Sequence, residues 1–332
     1  MRFLEELLFL SFLRGIGRSA INDGFVPWLR CWALSRGMAS LDRLAEEWLR
    51  QTGRPLTSSE AGAAQQQTER VLEWLAAHEE IRVCTVFDDN YPARLNVLGA
   101  QRPPVLYIKG GITVWKGRES SGGTLRESDV FSSPALAVIG SRWPGEYALV
   151  NGPAFALELA RRFDMPVVSG LARGCDRMGH MAAIQNDLPT IAVMPCGPDT
   201  IVPEVNSGLA ARIADGRGFL ITEYPPGTPP AEYRYVERDR VTAAWSSAAV
   251  VLECGVKSGT MQTVRAALSF GKPVACWYPE GAGHSGFEGN RYMIEQLGAF
   301  RLHDAASLEG FLGRVRHSEL RSAEYPEQLT VL

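Results

Sequence analysis

Apolar residues recur along this chain with two different periods. In residues 1–80 they return at helical spacing, first at Leu4, Leu7, Leu8 and Phe12 and again in LEWLAAHEE at 72–80. No β-rich run appears before residue 81, so this part predicts a small all-α domain. The polar stretch RQTGRPLTSSEAGAAQQQ inside it reads as a loop or a weak helix start. Residues 81–110 hold two strand-like runs around a proline-rich hinge. The Ser/Gly-rich stretch 111–133 lacks a period and reads as an exposed loop or insertion.

From residue 135 the pattern becomes regular. Apolar runs of strand length fall at 136–140, 166–169, 190–195, 218–223, 248–253 and 273–277. Helix-length segments fall between them, at 146–163, 176–186, 204–214, 237–247 and 260–270. The strands are apolar nearly throughout, as in a sheet covered on both faces. Alternation of this kind predicts an α/β fold: an extended Rossmann-like, doubly wound, mostly parallel sheet, preceded by the small all-α domain. The expected division is 1–80 helical, 81–134 linker strands and a variable loop, 135–315 the Rossmann-like domain, and 316–332 a tail.

Composition narrows this picture. With 332 residues, 45% hydrophobic, the chain can build one large core and a smaller one. The formal net charge of −3 excludes a globally basic nucleic-acid binder, so any polyanion site must be a local concentration of Arg and Lys. The six cysteines contain no CxxC pair and several lie in apolar runs. They read as free buried thiols of a reducing compartment, with no metal site expected. The N-terminal MRFLEELLFLSFLRGIG is interrupted by Glu5 and Glu6 and no small-residue cleavage site follows. No run reaches membrane-spanning length, so a cytoplasmic protein with no membrane partner is expected.

The strand exits carry the candidate chemistry, because ligands of such sheets bind outside the carboxyl ends of the strands. The first exit offers Gly140, Ser141 and Arg142. The second, SGLARGCDRMGH, offers Ser169, Gly170, Arg173, Gly174, Asp176 and His180. The third offers Gly197, Asp199, Pro203 and Asn206, and the fourth Glu223. The fifth offers Glu253, Lys257, Ser258, Gly259 and Thr260. Small and hydroxyl residues before a helix expose backbone N–H groups at its positive end, a ready anion site. Plainer readings stand beside these. Ser258-Gly259-Thr260 is what a helix cap requires. Asp176 suits an N-cap, with His180 one turn later. Glu223 and Glu253 suit acceptors of loop N–H groups. RYVERDRVTAAWSSA adds Arg238 and Arg240, which diverge by roughly 200° if the segment is helical. Both then serve one ligand only if part of it is loop; one gripping phosphate and one pairing with Asp239 or Glu237 is the alternative. Trp143, Tyr147 and Tyr235 lie near the exits and are candidates either to stack bases or to pack the rim.

Read together, these stretches resemble the bacterial DNA-processing protein A family (DprA, also called Smf). The matching runs are YPARLNVLGAQRPPVLYIKG, AVIGSR, VVSGLARGCDRMGH, TIAVMPCGPDTIVPEVN, LITEYPPGTPP, RDRVTAAWSSAAVVLECGVKSGT and GNRYMIEQLGA, in family order over roughly residues 88–300. The resemblance implies single-stranded DNA held through its phosphates at the sheet edge, a RecA-type recombinase partner, a role in natural transformation, a homodimer and no cofactor. It carries Arg142, Ser169, Gly170, Arg173, Gly174, Arg238, Arg240, Ser258 and Gly259 over to DNA or phosphate binding, and the strand-exit chemistry adds Gly140, Ser141, Lys257 and Thr260. Asp176, His180, Glu223 and Glu253 are expected to support the site. FLRGIGRSAI resembles the family's small helical domain; it reads either as half of a helix-hairpin-helix, where Gly15 and Gly17 would face a DNA backbone, or as a plain helical turn. The chain departs from the family at Asp239, which stands where Asn is usual, at Thr260, in the long 111–133 segment, and in its acidic charge. With the sequence ending soon after residue 300, the winged-helix tail that some members carry is not expected.

Two other functions are compatible with these residues. A sensor of a nucleotide-derived ligand fits the same fold and is favoured by Asp239. A nucleoside-monophosphate phosphoribohydrolase needs a carboxylate after its glycine loop, where this chain has Gln262 and Thr263, and no catalytic constellation emerges elsewhere. A non-enzymatic DNA-binding protein is therefore the expectation.

Overall fold

The computed structural model describes residues 3–13, 15–35, 41–113, 115, 127–280 and 285–324. The N-terminal region is helical, with α1 (Leu4–Phe12), α2 (Val26–Ser35), α3 (Leu41–Thr52) and α4 (Ser58–Ala76). Helix α4 starts within the polar stretch that predicted a loop or weak helix start. The reason is local: Thr57 accepts from the Glu60 amide while the Glu60 side chain accepts from the Thr57 amide, a reciprocal capping box.

Beyond it lie strands β1 (Ile81–Thr85), β2 (Val105–Ile112), β3 (Leu136–Ile139), β4 (Val167–Ser169), β5 (Thr190–Val193), β6 (Arg217–Thr222), β7 (Ala248–Val251), β8 (Val274–Trp277) and β9 (Phe300–Leu302). The intervening helices are α5 (Glu127–Ser132), α6 (Glu146–Phe163), α7 (Cys175–Gln185), α8 (Ser207–Ala214), α9 (Glu232–Trp245), α10 (Thr260–Ser269), α11 (Glu288–Leu297) and α12 (Ala305–Glu324). The strands form one sheet in the order β1-β2-β6-β5-β4-β3-β7-β8-β9. From β6 to β9 every pairing is parallel, while β2 runs antiparallel to β6 and β1 to β2. The predicted doubly wound α/β sheet is present, and α9 occupies the 237–247 pattern as continuous helix.

Three segments differ from the sequence reading. The 81–110 runs extend the sheet instead of linking two bodies. A free two-stranded ribbon is marginal in water, and the open edge of β6 gives β2 a partner. In the 111–133 stretch, Trp115, Val130 and Phe131 are core residues, and α5 occupies its end; residues 114 and 116–126 lie outside the described residues. Helix α12 runs through the 315/316 boundary.

The helical region packs on the β1–β2 end. Leu7, Leu8, Phe25, Leu29 and Trp48 share one buried cluster with Ile81, Val105 and Tyr107. The main core lies between the sheet and its covering helices, with Trp245, Phe131 and Phe219 in edge-to-face contact. Among the described residues no helix is long and apolar enough to cross a membrane. The five cysteines Cys84, Cys175, Cys196, Cys254 and Cys276 are buried thiols outside any disulfide; Cys31, also outside any disulfide, lies at the surface.

Candidate functional site

Strand order reverses at β3. The chain passes from β3 outward through β4, β5 and β6, then returns by way of α9 to β7 on the other flank of β3. Diverging connections leave a crevice at the carboxyl ends of β3, β4 and β7. A cleft of about 430 Å³ occupies that position, lined by Gly140, Arg142, Gly170, Asp176, Arg238, Asp239, Ser258, Gly259 and Thr260.

Arg142 reaches the cleft from the β3 exit, with its guanidinium 4.9 Å from the centre of the Tyr235 ring. Its loop is fixed from behind. The Ser141 amide donates to the Glu253 carbonyl at 2.7 Å, and the Ser141 carbonyl accepts from the Cys175 amide. Both carboxylate oxygens of Glu253 accept from the Gly145 amide at 3.0 Å. Glu253 thus holds a loop N–H, as its plainer reading expected, and its buried carboxyl is pushed above the usual range by desolvation, against the pull of that amide.

The β4–α7 turn is pinned in the same way. Asp176 accepts from the amides of Gly170 and Ala172, and Asn206 donates to the carbonyls of Leu171 and Ala172. A Cβ on Gly170 would lie 1.8 Å from Nη1 of Arg238, so only glycine lets the guanidinium pass. Burial raises the Asp176 pKa, opposed by Arg238 and the two amides. His180 is fully buried: Nε2 accepts from the Leu171 amide, and Nδ1–H donates to Thr190, whose hydroxyl donates on to Val167. Burial, then Arg238, pull its pKa down to about 3, so it stays neutral and structural.

Helix α9 forms the third wall. Glu232, Tyr235, Val236, Asp239 and Thr242 repeat at helical spacing along one face and all line the cleft. That periodicity was available in the sequence, and it is the signal that would have found Tyr235 and Thr242 as a set. Arg238, only 5% exposed, donates from Nη1 to the Val193 carbonyl at 2.7 Å and from Nε to Asp239 at 3.1 Å. Asp239 has a pKa pushed up to about 6, first by burial and then by Asp176, against the pull of Arg238 and Arg142. The fourth wall is the start of α10, where Ser258 Oγ accepts from the Thr260 amide at 3.2 Å in the turn that leads into the helix. An anion here would meet the Arg142 guanidinium and the positive end of α10, with the Asp239 carboxyl opposing it.

Other predicted residues lie elsewhere. Arg240 turns to the opposite face of α9 and pairs with Glu223 at 2.6 Å, because an unbroken helix separates it from Arg238 by about 200°. Glu223 serves two arginines, Arg18 and Arg240, and among the described residues no loop amide donates to it. The Ser169 hydroxyl is fully buried and donates to the Val138 carbonyl at 2.6 Å. Ser141 and Gly174 shape the loops, and a Cβ on Gly174 would stand 2.3 Å from the Ser141 carbonyl. Arg173 and Lys257 are exposed and outside the cleft lining. Tyr147 packs against Trp277 and Phe287. Among the described residues no cluster of His, Cys, Asp and Glu is arranged to hold a metal ion.

Comparison with known proteins adds the following findings. The family described as DNA recombination-mediator protein A matches residues 82–312. Protein Smf of Escherichia coli (strain K12) is 37% identical over 161 residues, covering 48% of this chain and 42% of that protein. The X-ray structure of DNA processing protein A from Streptococcus pneumoniae superposes with a TM-score of 0.70 at 22% identity, covering 93% of this chain and 98% of that one. The DNA processing protein A of Helicobacter pylori, whose single-stranded DNA binding mode has been described structurally, superposes with a TM-score of 0.57 at 22% identity, over 72% of this chain and 96% of that one. The two superpositions establish the fold. The chain covers 42% of that Smf protein and 37% of the putative DNA processing protein DprA of Mycobacterium tuberculosis (strain CDC 1551 / Oshkosh), which is 42% identical over 147 residues, so it spans less than half the length of these curated relatives.

Proposed function

The chain belongs to the DNA recombination-mediator protein A family, and from that premise we propose that it binds single-stranded DNA through backbone phosphates at the carboxyl edge of its sheet. The observation that carries this reading is the convergence of Arg142 and the start of α10 on one cleft at the strand-order reversal. Arg173 and Lys257 stand exposed on the flanking β4–α7 and β7–α10 loops, where they suit the path of a strand entering or leaving. A grip of this kind is independent of sequence and sensitive to salt. Delivery of the bound strand to a RecA-type recombinase, a role in natural transformation and action as a homodimer complete the proposal. No bond is made or broken in it.

The test is binding of a labelled oligothymidylate across a salt series. The wild-type protein binds at low salt with a negative log–log slope. Arg142→Ala weakens binding roughly tenfold or more and flattens the slope by about 0.7, the loss of one phosphate contact. Absence of binding at low salt, or indifference to the substitution, overturns the proposal.

One observation favours a second reading, a sensor of a small nucleotide. The cleft has mononucleotide dimensions, and Arg238 is engaged by Val193 and Asp239. Under this reading a mononucleotide raises the melting temperature and competes the oligonucleotide away at stoichiometric levels.

A further inference from the structure

Trp143 is 74% exposed, the largest exposure among the described large hydrophobic side chains. Burying an indole is strongly favourable, and a suitable apolar cluster lies close by in the chain, since Tyr147 packs into Trp277 and Phe287 four residues later. Trp143 does not join it. The loop is not loose, because each neighbour is fastened. The Trp143 amide donates to Ser141 Oγ at 3.1 Å, the Ser141 backbone is tied to Glu253 and Cys175, Pro144 is buried, and Gly145 is held by the Glu253 carboxylate. The guanidinium of Arg173, from the β4–α7 turn, lies 5.0 Å from the centre of the indole ring. Two strand exits therefore combine to hold an aromatic ring outward in one orientation, beside a cation. The next residue back is Arg142, which lines the cleft, and consecutive Cα atoms are about 3.8 Å apart, within the span of one nucleotide.

We propose that Trp143, backed by Arg173, is a stacking platform for an unpaired nucleobase of the strand whose phosphate lies against Arg142. The proposal rests on the single-stranded DNA reading above. It adds a contact to a base, where that reading invokes backbone alone. An indole face accepts any base, so the platform strengthens binding without reading sequence, and Arg173 contributes both a cation over the ring and a charge for the neighbouring phosphate. Preorganisation lowers the ordering cost of each nucleotide bound.

The experiment compares an oligothymidylate with an abasic strand of equal length and charge, on wild type, Trp143→Ala and Trp143→Phe, over a salt series. Wild type prefers the oligothymidylate. Trp143→Ala weakens it by roughly 5- to 150-fold, bringing it toward the abasic strand, with the salt slope unchanged; Trp143→Phe keeps most of the affinity. Equal binding of oligothymidylate by Trp143→Ala and wild type overturns the platform alone, as does equal weakening of both strands. If wild type binds neither strand at low salt, the single-stranded DNA reading fails first and the platform falls with it.

Discussion

Asp239 adds a second buried carboxyl, beside that of Asp176, to a cleft where Arg142 and the start of α10 favour anions. Its side chain is 17% exposed, and Arg238 and Arg142 moderate its charge without cancelling the cost of burial. The resemblance places Asn at this position, which keeps the shape and removes the titration. Because the folded-state pKa is raised to about 6 from 3.8, stability carried by the protonated form is complete below the unfolded value and is lost as pH rises through 6. Asp239→Asn is therefore expected to be more stable than wild type near pH 7.5, with the difference shrinking between about pH 6 and pH 4 in urea titrations. Anion affinity follows the same sign: oligonucleotide binding by wild type weakens as pH rises through 6, and Asp239→Asn binds more tightly and with less dependence on pH. His180 stays neutral across this range. Residual pH dependence in Asp239→Asn would report Asp176, the other buried carboxyl beside Arg238. At this scale the residue types at the strand exits were legible in the sequence. The direction of each side chain was not: Ser169 and Arg240 carry the right chemistry and face away from the cleft.

The elements of the site are held by polar side chains that reach the strand ends from their covering helices. Asn290 on α11 is the clearest example. Its Nδ2 donates to carbonyls at the ends of β7 and β8, those of Leu252 and Trp277 among them, and its Oδ1 accepts from the Cys254 amide at 2.8 Å. It is fully buried, so these backbone groups have no water to turn to. Asn290→Ala should cost about 2–3 kcal/mol by chemical denaturation. It should also loosen the turn between β7 and α10, lowering oligonucleotide affinity more than its stability loss alone explains. The stretch GNRYMIEQLGA pointed to the family, yet nothing in its spacing distinguished this Asn from a surface one. Periodicity reports which face of an element is apolar; it does not report which backbone groups a single buried amide will meet. The strands and helices from 135 onward were legible because that apolar periodicity is strong there, and α4 was obscured because its first turns are polar and its signal is the Thr57–Glu60 cap.

Across the whole molecule, a charge network ties the N-terminal helices to the sheet. Arg18 donates to Glu223 at 2.6 Å and to both oxygens of Glu237, Arg240 donates to the same Glu223 oxygen, and Tyr224 donates to Glu237. Burial opposes the charge on Glu237, but the Arg18 and Tyr224 hydrogen bonds hold its pKa below the usual range. Glu223 is the shared centre, and its side chain is 5% exposed. Glu223→Ala leaves two arginines facing one another and should cost about 3 kcal/mol. The helical region should become more sensitive to protease while the cleft residues stay in place. Arg240, expected at the ligand, instead helps join the two parts of the molecule. The sequence by itself determined the layered α/β architecture and the strand exits where the cleft opens, with Gly140, Gly170 and Arg142 in its lining, because periodicity and strand–helix punctuation are local properties. Only the tertiary structure decided which basic residues face the cleft, that β1 and β2 complete the sheet, that Arg18 pairs with a residue 205 positions away, and that Trp143 stands outward on a fastened loop. Those outcomes depend on the rotation of each helix and on which strand edges remain open, and both are settled only when distant segments pack together.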